Sequence, residues 1–316
     1  MKEIVLLDGA TLGDDIDLSV LREQGHLTVW QGSSPDEIRA RVREADVIVT
    51  NKCRLDEKTL AGAGKLRLIC VAATGYDNID VAWCRSRGIA VCNVVGYSTD
   101  SVAQLTAAMA LDLVMHMPDF TAYVNDGRYT AGGVANRLFP AFHELRGKTW
   151  GIVGAGNIGH QVARVAEAFG CRVIVCRRRR DPDYETVSLE ELCARSDILS
   201  LHVPLSAQTQ GLIGRRELAL MKPGAILINV SRGKVTDEAA VAEAFLAGKL
   251  GGLGVDVYSA EPFPSDHPFA ALCGLPNVCL TPHMAWGAFE ARQRCVADMA
   301  ESIRAFFEGK TRSRVD

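Results

Sequence analysis

A glycine pattern at residues 154–159, of the form G-x-G-x-x-G, constrains the fold of this chain more than any other feature. The apolar run before it, residues 149–153, has the composition of a buried β-strand, and the periodic run after it, residues 162–169, is typical of a helix. A second strand-like run follows at residues 171–176. Because strand, turn, helix and strand follow in this order, the sequence predicts a Rossmann-type unit that binds a dinucleotide.

Each glycine of this pattern has a separate expected task. Gly154 permits the tight turn, Gly156 lets the backbone approach a pyrophosphate, and Gly159 lets the helix pack closely on the sheet. Asn157 and Ile158 stand at the start of the predicted helix, where backbone N–H groups and the helix dipole favour phosphate. The alternative is a glycine-rich turn that binds nothing.

The composition argues against several classes of protein. The formal net charge of -3 and the isoelectric point near 6.2 provide no general basic surface for nucleic acid, and no apolar run is long enough to span a bilayer. The ten cysteines are scattered without the spacing of a metal site. We therefore expect reduced thiols, no metal, no signal peptide and a cytoplasmic location.

The alternation of strand-like and helix-like segments predicts an α/β fold with mostly parallel sheets. Strand-like runs occur at residues 4–7, 28–30, 46–50, 68–71, 89–93, 198–203, 225–230, 254–257 and 278–281. Ser34 and Pro35 have the pattern of a helix start. Residues 98–117 form an apolar helical segment that we expect Pro118 to end.

These segments predict two Rossmann-like domains with doubly wound parallel sheets. The amphipathic run at residues 287–308 is expected to return to the first domain. A dinucleotide-binding domain at residues 99–285 would therefore be inserted into a discontinuous, flavodoxin-like substrate-binding domain at residues 1–98 and 286–316.

Three polar residues follow predicted strands of the second domain, where open α/β sheets bind ligands. Arg232 suits the binding of a substrate carboxylate and the polarisation of a carbonyl, because guanidinium forms two hydrogen bonds and stays charged. His283 suits proton transfer, as the acid in reduction and the base in oxidation, because imidazole titrates near neutral pH. Glu261 would bond the other ring nitrogen and keep the imidazole protonated before reduction. Taken singly, each residue type more often has a structural role.

In these motifs the chain resembles the D-isomer-specific 2-hydroxyacid dehydrogenases. The resemblance covers nearly the whole sequence, including residues 73–80, 101–104 and 201–205, and is strongest to the glycerate dehydrogenase and hydroxypyruvate reductase branch. It assigns Arg232, Glu261 and His283 the roles given above. It implies reduction of hydroxypyruvate or glyoxylate to D-glycerate or glycolate with a nicotinamide dinucleotide, and leaves other short D-2-hydroxy acids open.

The resemblance also implies substrate contacts in the first domain. The backbone N–H groups of Ala73, Thr74 and Gly75 would receive the substrate carboxylate. Lys52, which follows the strand-like run at residues 46–50, would add a second positive charge, and a solvated lysine is an equally weighted alternative.

Further cofactor contacts are implied in the second domain. Asp256 would orient the nicotinamide carboxamide, with a structural cap on the following loop as the alternative. The adenosine and phosphate side would be lined by His202, Pro204 and Thr209, and Val230 is a further expected contact. His202 is equally compatible with a buried structural histidine.

The end of the second strand-like run bears on the choice between NAD and NADP. An acidic residue that bonds the ribose hydroxyls is usual there, whereas this chain has Arg177, followed by Arg178 and two more arginines. The sequence therefore favours NADP(H), with NAD(H) possible. In the alternative, Asp181 or Asp183 folds back to supply the missing carboxylate.

Two further expectations concern partners. Residues 98–117 and the aromatic and glycine-containing stretch at residues 120–145 suggest an arm that is buried in a homodimer, unless it completes the core of its own chain. A different functional class, a dinucleotide-sensing interaction protein with little turnover, is the alternative to an enzyme.

Overall fold

The computed structural model describes residues 1–316, and the chain divides into two compact units. The first unit consists of Met1–Ser98 and Trp286–Asp316, and the second of Thr99–Ala285. The second unit is thus an insertion into a discontinuous first unit.

Twelve strands form two sheets. In chain order they are β1 (Glu3–Leu6), β2 (His26–Val29), β3 (Val47–Thr50), β4 (Leu68–Val71), β5 (Ala90–Cys92), β6 (Thr149–Val153), β7 (Arg172–Cys176), β8 (Glu185–Thr186), β9 (Ile198–Leu201), β10 (Ala225–Asn229), β11 (Leu250–Val255) and β12 (Val278–Leu280).

Eleven α-helices accompany the strands. They are α1 (Ser19–Arg22), α2 (Pro35–Arg41), α3 (Val81–Ser86), α4 (Thr99–Met115), α5 (Met117–Asn125), α6 (Arg128–Gly132), α7 (Asn157–Ala168), α8 (Leu189–Arg195), α9 (Arg215–Leu220), α10 (Glu238–Leu246) and α11 (Phe289–Phe307). No helix is both long and apolar enough to cross a membrane.

The sheet of the first unit is wholly parallel, in the order β2-β1-β3-β4-β5. This is the order of flavodoxin-like folds. Successive residues of β1 point to opposite faces, because the side-chain period of a strand is two. Ile4 packs into a core with Met299 of α11, and Val5 packs into another core with Ile38 of α2. Both faces of the sheet are therefore covered.

The start of α2 follows the predicted helix signal. The Ser34 hydroxyl accepts a hydrogen bond from the Glu37 backbone N–H at 3.4 Å, and the Glu37 carboxylate accepts one from the Ser34 N–H at 2.8 Å. This reciprocal cap satisfies two backbone donors that a helix start leaves without an internal partner.

The second unit has a parallel sheet of seven strands in the order β12-β11-β10-β9-β6-β7-β8. The chain runs from β6 outward to β7 and β8, and then returns to build β9 to β12 on the other side. The strand order therefore reverses between β6 and β9, and ligands of open α/β sheets bind outside the carboxyl ends of the strands at such a point. The predicted fold class is confirmed.

Two local features differ from the expectations. The strand β11 begins at Leu250, four residues before the predicted start, because its glycines hide the strand pattern. A Cβ on Gly251 would lie 2.4 Å from the Gly224 carbonyl oxygen, so only glycine permits this approach. Pro118 does not simply end the preceding helix. It lies in the first turn of α5, where proline is tolerated because that turn lacks internal acceptors.

Candidate active site

The three predicted catalytic residues follow three neighbouring parallel strands. Arg232 comes three residues after β10, Glu261 six residues after β11, and His283 three residues after β12. Because β10, β11 and β12 are adjacent and parallel, their carboxyl ends share one edge of the sheet. The topology therefore brings the loops that carry these residues to one edge.

Glu261 and His283 form a direct pair. The Oε2 atom of Glu261 lies 2.6 Å from Nδ1 of His283, and the side chains are 31% and 24% exposed. The other carboxylate oxygen of Glu261 accepts a hydrogen bond from the Tyr258 backbone N–H at 3.0 Å. With Nδ1 engaged by a carboxylate, Nε2 is the ring nitrogen through which His283 can exchange a proton.

The loop that carries His283 is held by the buried carboxylate of Asp256. One oxygen accepts from the Thr281 hydroxyl at 2.5 Å and the Met284 N–H at 2.9 Å, and the other accepts from the Ala285 N–H at 2.9 Å. Burial raises the pKa of Asp256, while these hydrogen bonds oppose the rise. These hydrogen bonds match the alternative role of Asp256 as a structural cap on a loop. The contact of Asp256 with a nicotinamide carboxamide stays a prediction.

The backbone of His283 is strained. Its φ angle is 52°, in the left-handed region that residues other than glycine rarely occupy. Such a conformation persists only where the surroundings enforce it, and it is common at functional sites. The three hydrogen bonds to Asp256 provide that enforcement on both sides of His283.

Arg232 projects from a tight turn organised by Asn229. The Asn229 side chain accepts hydrogen bonds from the Ser231 N–H and hydroxyl and donates to the Arg232 carbonyl at 2.9 Å. The next residue, Gly233, lies against the following loop, because a Cβ there would be 2.0 Å from the Tyr258 carbonyl carbon. The Arg232 turn and the loop that carries Glu261 are thus in direct backbone contact.

The glycine pattern has the geometry that the sequence predicts. Gly154 has a φ of 92°, and a Cβ there would lie 2.6 Å from the His202 carbonyl oxygen. A Cβ on Gly159 would lie 2.2 Å from the Gly154 carbonyl oxygen, so a larger residue would push α7 off the sheet. A Cβ on Gly156 would meet nothing within 4 Å.

The open space at Gly156 lies at the N-terminus of α7. Gly156 is the N-cap residue and has no side chain to cap the first N–H groups of the helix. Asn157 and Ile158 are the first two helical residues. These N–H groups and the room beside Gly156 fit the pyrophosphate of a dinucleotide, and the assignment of Gly154, Gly156, Asn157, Ile158 and Gly159 to that cofactor stays a prediction.

The end of β7 contains an ion-pair cluster. The Asp181 side chain is completely buried and is paired with Nη1 of Arg177 and, at 3.2 Å, with Nε2 of His160. His160 lies in the first turn of α7, and its Nδ1 is 3.0 Å from the Gly156 carbonyl oxygen. Arg178 is exposed. Asp181 does fold back toward the glycine pattern, but its carboxylate is already paired with Arg177 and His160.

The His202 side chain belongs to a buried hydrogen-bond network directly after β9. Its Nε2 is 3.0 Å from the Ser200 hydroxyl, which accepts from the Trp150 indole N–H at 2.9 Å. Burial lowers the pKa of His202 to about 3, so the ring is neutral at physiological pH. This favours the structural alternative for the His202 side chain, and its contact with the cofactor stays a prediction.

The remaining predicted cofactor residues lie in loops at this edge. Thr209 stabilises its own loop, because its hydroxyl donates to the Pro204 carbonyl at 2.6 Å and accepts from the Ser206 N–H at 2.8 Å. Val230 is buried directly after β10. The cofactor contacts of Pro204, Thr209 and Val230 stay predictions.

The predicted substrate residues of the first unit follow β3 and β4. The Lys52 N–H donates to the buried carboxylate of Asp8 at 2.6 Å, which fixes the loop after β3. After β4, the Thr74 hydroxyl donates to the Val94 carbonyl at 2.9 Å. The loop after β4 is thus hydrogen-bonded to Val94, and substrate binding by Ala73, Thr74, Gly75 and Lys52 stays a prediction.

The sequence analysis did not identify two residues that support the predicted site residues through hydrogen bonds or ion pairs. Asn229 organises the turn of Arg232, and His160 belongs to the Asp181 cluster. A signal existed for Asn229, because an asparagine two residues before a Ser-Arg-Gly turn is typical of a side-chain-capped turn. No signal existed for the pairing of His160 with Asp181, which are 21 positions apart.

Residues 107–285 match the family model described as "D-isomer specific 2-hydroxyacid dehydrogenase, NAD binding domain". A hydroxypyruvate reductase of Blautia hydrogenotrophica is 32% identical over 97% of both chains. A glyoxylate reductase of Thermococcus litoralis is 39% identical over 85% of this chain and 83% of its own.

Among solved structures, the NADPH-dependent glyoxylate/hydroxypyruvate reductase of Sinorhizobium meliloti, in complex with NADP and malonate, is similar with a TM-score of 0.86. It is 27% identical, and the match covers 99% of this chain and 96% of that chain. The relatives named here are enzymes, and they do not favour the alternative of an interaction protein with little turnover.

Proposed function

Because the chain belongs to the D-isomer-specific 2-hydroxyacid dehydrogenase family, we propose that it reduces hydroxypyruvate and glyoxylate to D-glycerate and glycolate. It is an oxidoreductase that transfers hydride between a nicotinamide dinucleotide and a small 2-hydroxy or 2-oxo acid. The choice of these two substrates follows the activities for which its relatives are named.

One observation supports the proposed chemistry most strongly. Glu261, which lies 2.6 Å from His283, is on a loop in backbone contact with the turn of Arg232, at the same sheet edge as the glycine pattern. An acid, its orienting carboxylate and a cation for a carboxylate are the groups that reduction of a 2-oxo acid needs.

Each residue has a defined task in this proposal. Arg232 binds the substrate carboxylate with its planar guanidinium and polarises the neighbouring carbonyl. His283 donates the proton on Nε2 to the developing alkoxide, and takes it back in the reverse direction. Glu261 orients the imidazole by bonding Nδ1, which leaves Nε2 for proton transfer. The nicotinamide dinucleotide, when bound, supplies or accepts the hydride.

A steady-state panel of short 2-oxo acids tests the substrate assignment. We expect kcat/KM to be highest for hydroxypyruvate and glyoxylate and lower for pyruvate and for branched 2-oxo acids, with NADPH and NADH each supplied in turn. A maximum at a branched or longer acid would contradict the substrate assignment and leave the family chemistry intact.

We propose NADPH as the preferred reductant, and the cluster at the end of β7 supports this. The Asp181 carboxylate, which in the NAD alternative would bond the ribose hydroxyls, is completely buried and paired with Arg177 and His160. Asp183 is exposed, and its carboxylate lies within 4.8 Å of the ligand atoms of His160 and Asp181. The exposed Arg178 adds positive charge where a 2′-phosphate would be recognised.

We expect the ratio of kcat/KM for NADPH to kcat/KM for NADH to exceed one and to fall by about tenfold in Arg178→Ser, as expected for loss of a hydrogen bond to a charged group. Arg172→Ser is the matched control, because Arg172 is an exposed arginine at the opposite end of the same strand. A wild-type preference for NADH would contradict the proposal, as would equal ratios in the two variants.

We propose that the stretch at residues 120–145, which follows the helical segment at residues 98–117, forms an arm that is buried in a homodimer. No residue of α5 is buried, and Val134, Leu138 and Phe139 are among the most exposed large apolar side chains of the chain. Exposed apolar residues clustered in this way are typical of an interface. Light scattering should give about twice the chain mass of 34.1 kDa, and the mass of one chain at micromolar concentration would contradict the dimer.

We also propose a cytoplasmic location, because all ten cysteines are free thiols, which suits a reducing compartment. Recovery of the protein in a secreted or periplasmic fraction would contradict this.

A further inference from the structure

A second glutamate–histidine pair lies in the second unit, outside the chemistry described so far. Glu238, the first residue of α10, has its Oε2 atom 3.0 Å from Nε2 of His267. The two side chains are only 7% and 5% exposed. Burying a carboxylate is costly unless its oxygens are bonded, so this pair needs a physical explanation.

The bonding of the pair requires a carboxylate at position 238. The Phe269 backbone N–H donates to Nδ1 of His267 at 3.2 Å, so Nε2 carries the hydrogen and donates to Glu238. The other oxygen of Glu238 accepts from the Ser259 backbone N–H at 2.8 Å. Two donors thus converge on two acceptor oxygens, and a glutamine at this position would present an NH₂ group to one of the donors.

The Ser259 N–H belongs to the segment that carries Glu261. In that segment the Tyr258 N–H donates to Oε1 of Glu261 at 3.0 Å, and Glu261 in turn binds His283. The Tyr258 hydroxyl donates to the Thr281 carbonyl at 2.9 Å, two residues before His283. Tyr258 therefore hydrogen-bonds both to the Glu261 side chain and to the loop that carries His283.

Aromatic side chains and Gly233 also pack against the same segment. The His267 ring stacks on Phe263 at 4.9 Å, and Phe263 packs edge-on against Tyr258 at 4.8 Å. Gly233 packs on the backbone of Tyr258 and Ser259 from the side of Arg232. A shift of Ser259 would therefore be transmitted to Glu261, whereas the turn of Arg232 is also held by the Asn229 side chain.

We infer that Glu238 and His267 are positioning residues, which fix the segment at residues 258–261 and thereby hold the Glu261 carboxylate against His283. The inference rests on the proposed roles of Glu261 and His283. It assigns the buried pair to the alignment of proton transfer and not to the binding of substrate or cofactor.

In Glu238→Gln we expect kcat to fall by about tenfold to a hundredfold, because small misplacements of catalytic groups cost rates of this order. The KM for hydroxypyruvate and the Kd for NADPH should stay within about twofold, because Arg232 and the glycine pattern keep their own contacts. Steady-state kinetics and fluorescence titration of NADPH measure these quantities.

Asp237→Ala is the matched control. Asp237 caps α10 by accepting a hydrogen bond from the Ala240 N–H at 3.1 Å, so its loss weakens the same helix without touching Ser259. We expect a lower thermal midpoint and an unchanged kcat. A comparable fall of kcat in Asp237→Ala would show that α10 acts only through stability and would overturn the inference.

A double-mutant cycle with Glu261→Gln supplies the decisive comparison. If Glu238 acts through Glu261, then Glu238→Gln should lower kcat far less in the Glu261→Gln background than in the wild type. Independent, multiplicative effects would overturn the inference alone. Wild-type kcat in Glu261→Gln itself would overturn the proposed acid–base roles, and the inference with them.

Variants of His267 keep the inference testable if Glu238→Gln does not fold. His267→Gln retains an N–H donor toward Glu238, whereas His267→Leu has none. We expect His267→Gln to keep most of the wild-type kcat. In His267→Leu we expect kcat to fall by about tenfold, because the Glu261 carboxylate is again misplaced. Equal kcat values in these two folded variants would overturn the inference.

Discussion

In His283→Gln, kcat for the reduction of hydroxypyruvate falls by about 10²- to 10⁴-fold, which is the usual contribution of general acid–base catalysis. Glutamine has a similar length and remains polar, but it cannot donate a proton to the developing alkoxide. The KM for hydroxypyruvate should change little, because substrate binding is assigned to Arg232. Steady-state rates of NADPH oxidation provide the measurement.

His26→Gln is the matched control for this prediction. His26 is an exposed histidine of the first unit that also pairs with a glutamate, through Nδ1 and Oε2 of Glu3 at 2.8 Å. Its kcat should equal that of the wild type. Removal of an acid–base residue lowers kcat by far more than about threefold. If kcat in His283→Gln stayed within about threefold of the wild-type value, another group would have to supply the proton.

Replacement of Arg232 has the second largest expected effect. In Arg232→Gln we expect kcat/KM for hydroxypyruvate to fall by about a hundredfold or more, because each hydrogen bond to a charged group contributes roughly 1.5–3 kcal/mol. Arg232→Lys should recover part of this loss, since it retains the charge but not the planar pair of donors. The Kd for NADPH should be unchanged, because the glycine pattern follows β6, which β9 separates from β10, the strand that precedes Arg232.

Arg215→Gln provides the control for loss of one arginine from the second unit. Arg215 is exposed and paired with Glu243 at the surface, where ion pairs contribute little. Its kcat/KM should match the wild type. Full recovery of activity in Arg232→Lys would contradict bidentate binding of the carboxylate, and wild-type activity in Arg232→Gln would exclude Arg232 from the site.

Much of the fold was accessible from the sequence, because its signals are local. The strand before the glycine pattern and the capped start of α2 were predicted within a residue. The start of β11 was not, because Gly251, Gly252 and Gly254 carry no strand signal. The glycines are there for close packing, as a Cβ on Gly254 would lie 3.1 Å from the Met109 sulfur, and that contact is invisible in one sequence.

The candidate site was accessible to a smaller extent. Arg232, Glu261 and His283 stand in recognisable motifs after strands, so parallel topology predicts their common edge. Their supports are not local in sequence. Asp256 and Ala285 are 29 positions apart, as are Glu238 and His267. Only the folded chain shows that these groups meet.

The same limit applies to the cofactor. Four successive arginines predict a basic turn after β7, but the sequence leaves open whether Asp181 faces the cofactor or its own neighbours. In the structure the Asp181 carboxylate is completely buried and paired with Arg177 and His160, and the preference for NADP stays a proposal.

A crystal structure of the protein with NADP and oxalate, an unreactive mimic of glyoxylate, is the strongest test of the roles proposed for Arg232 and His283. We expect both terminal nitrogens of Arg232 to bind one carboxylate of oxalate, and Nε2 of His283 to lie within about 3 Å of an oxygen on the neighbouring carbon. An oxalate bound without contact to either Arg232 or His283 would contradict these roles.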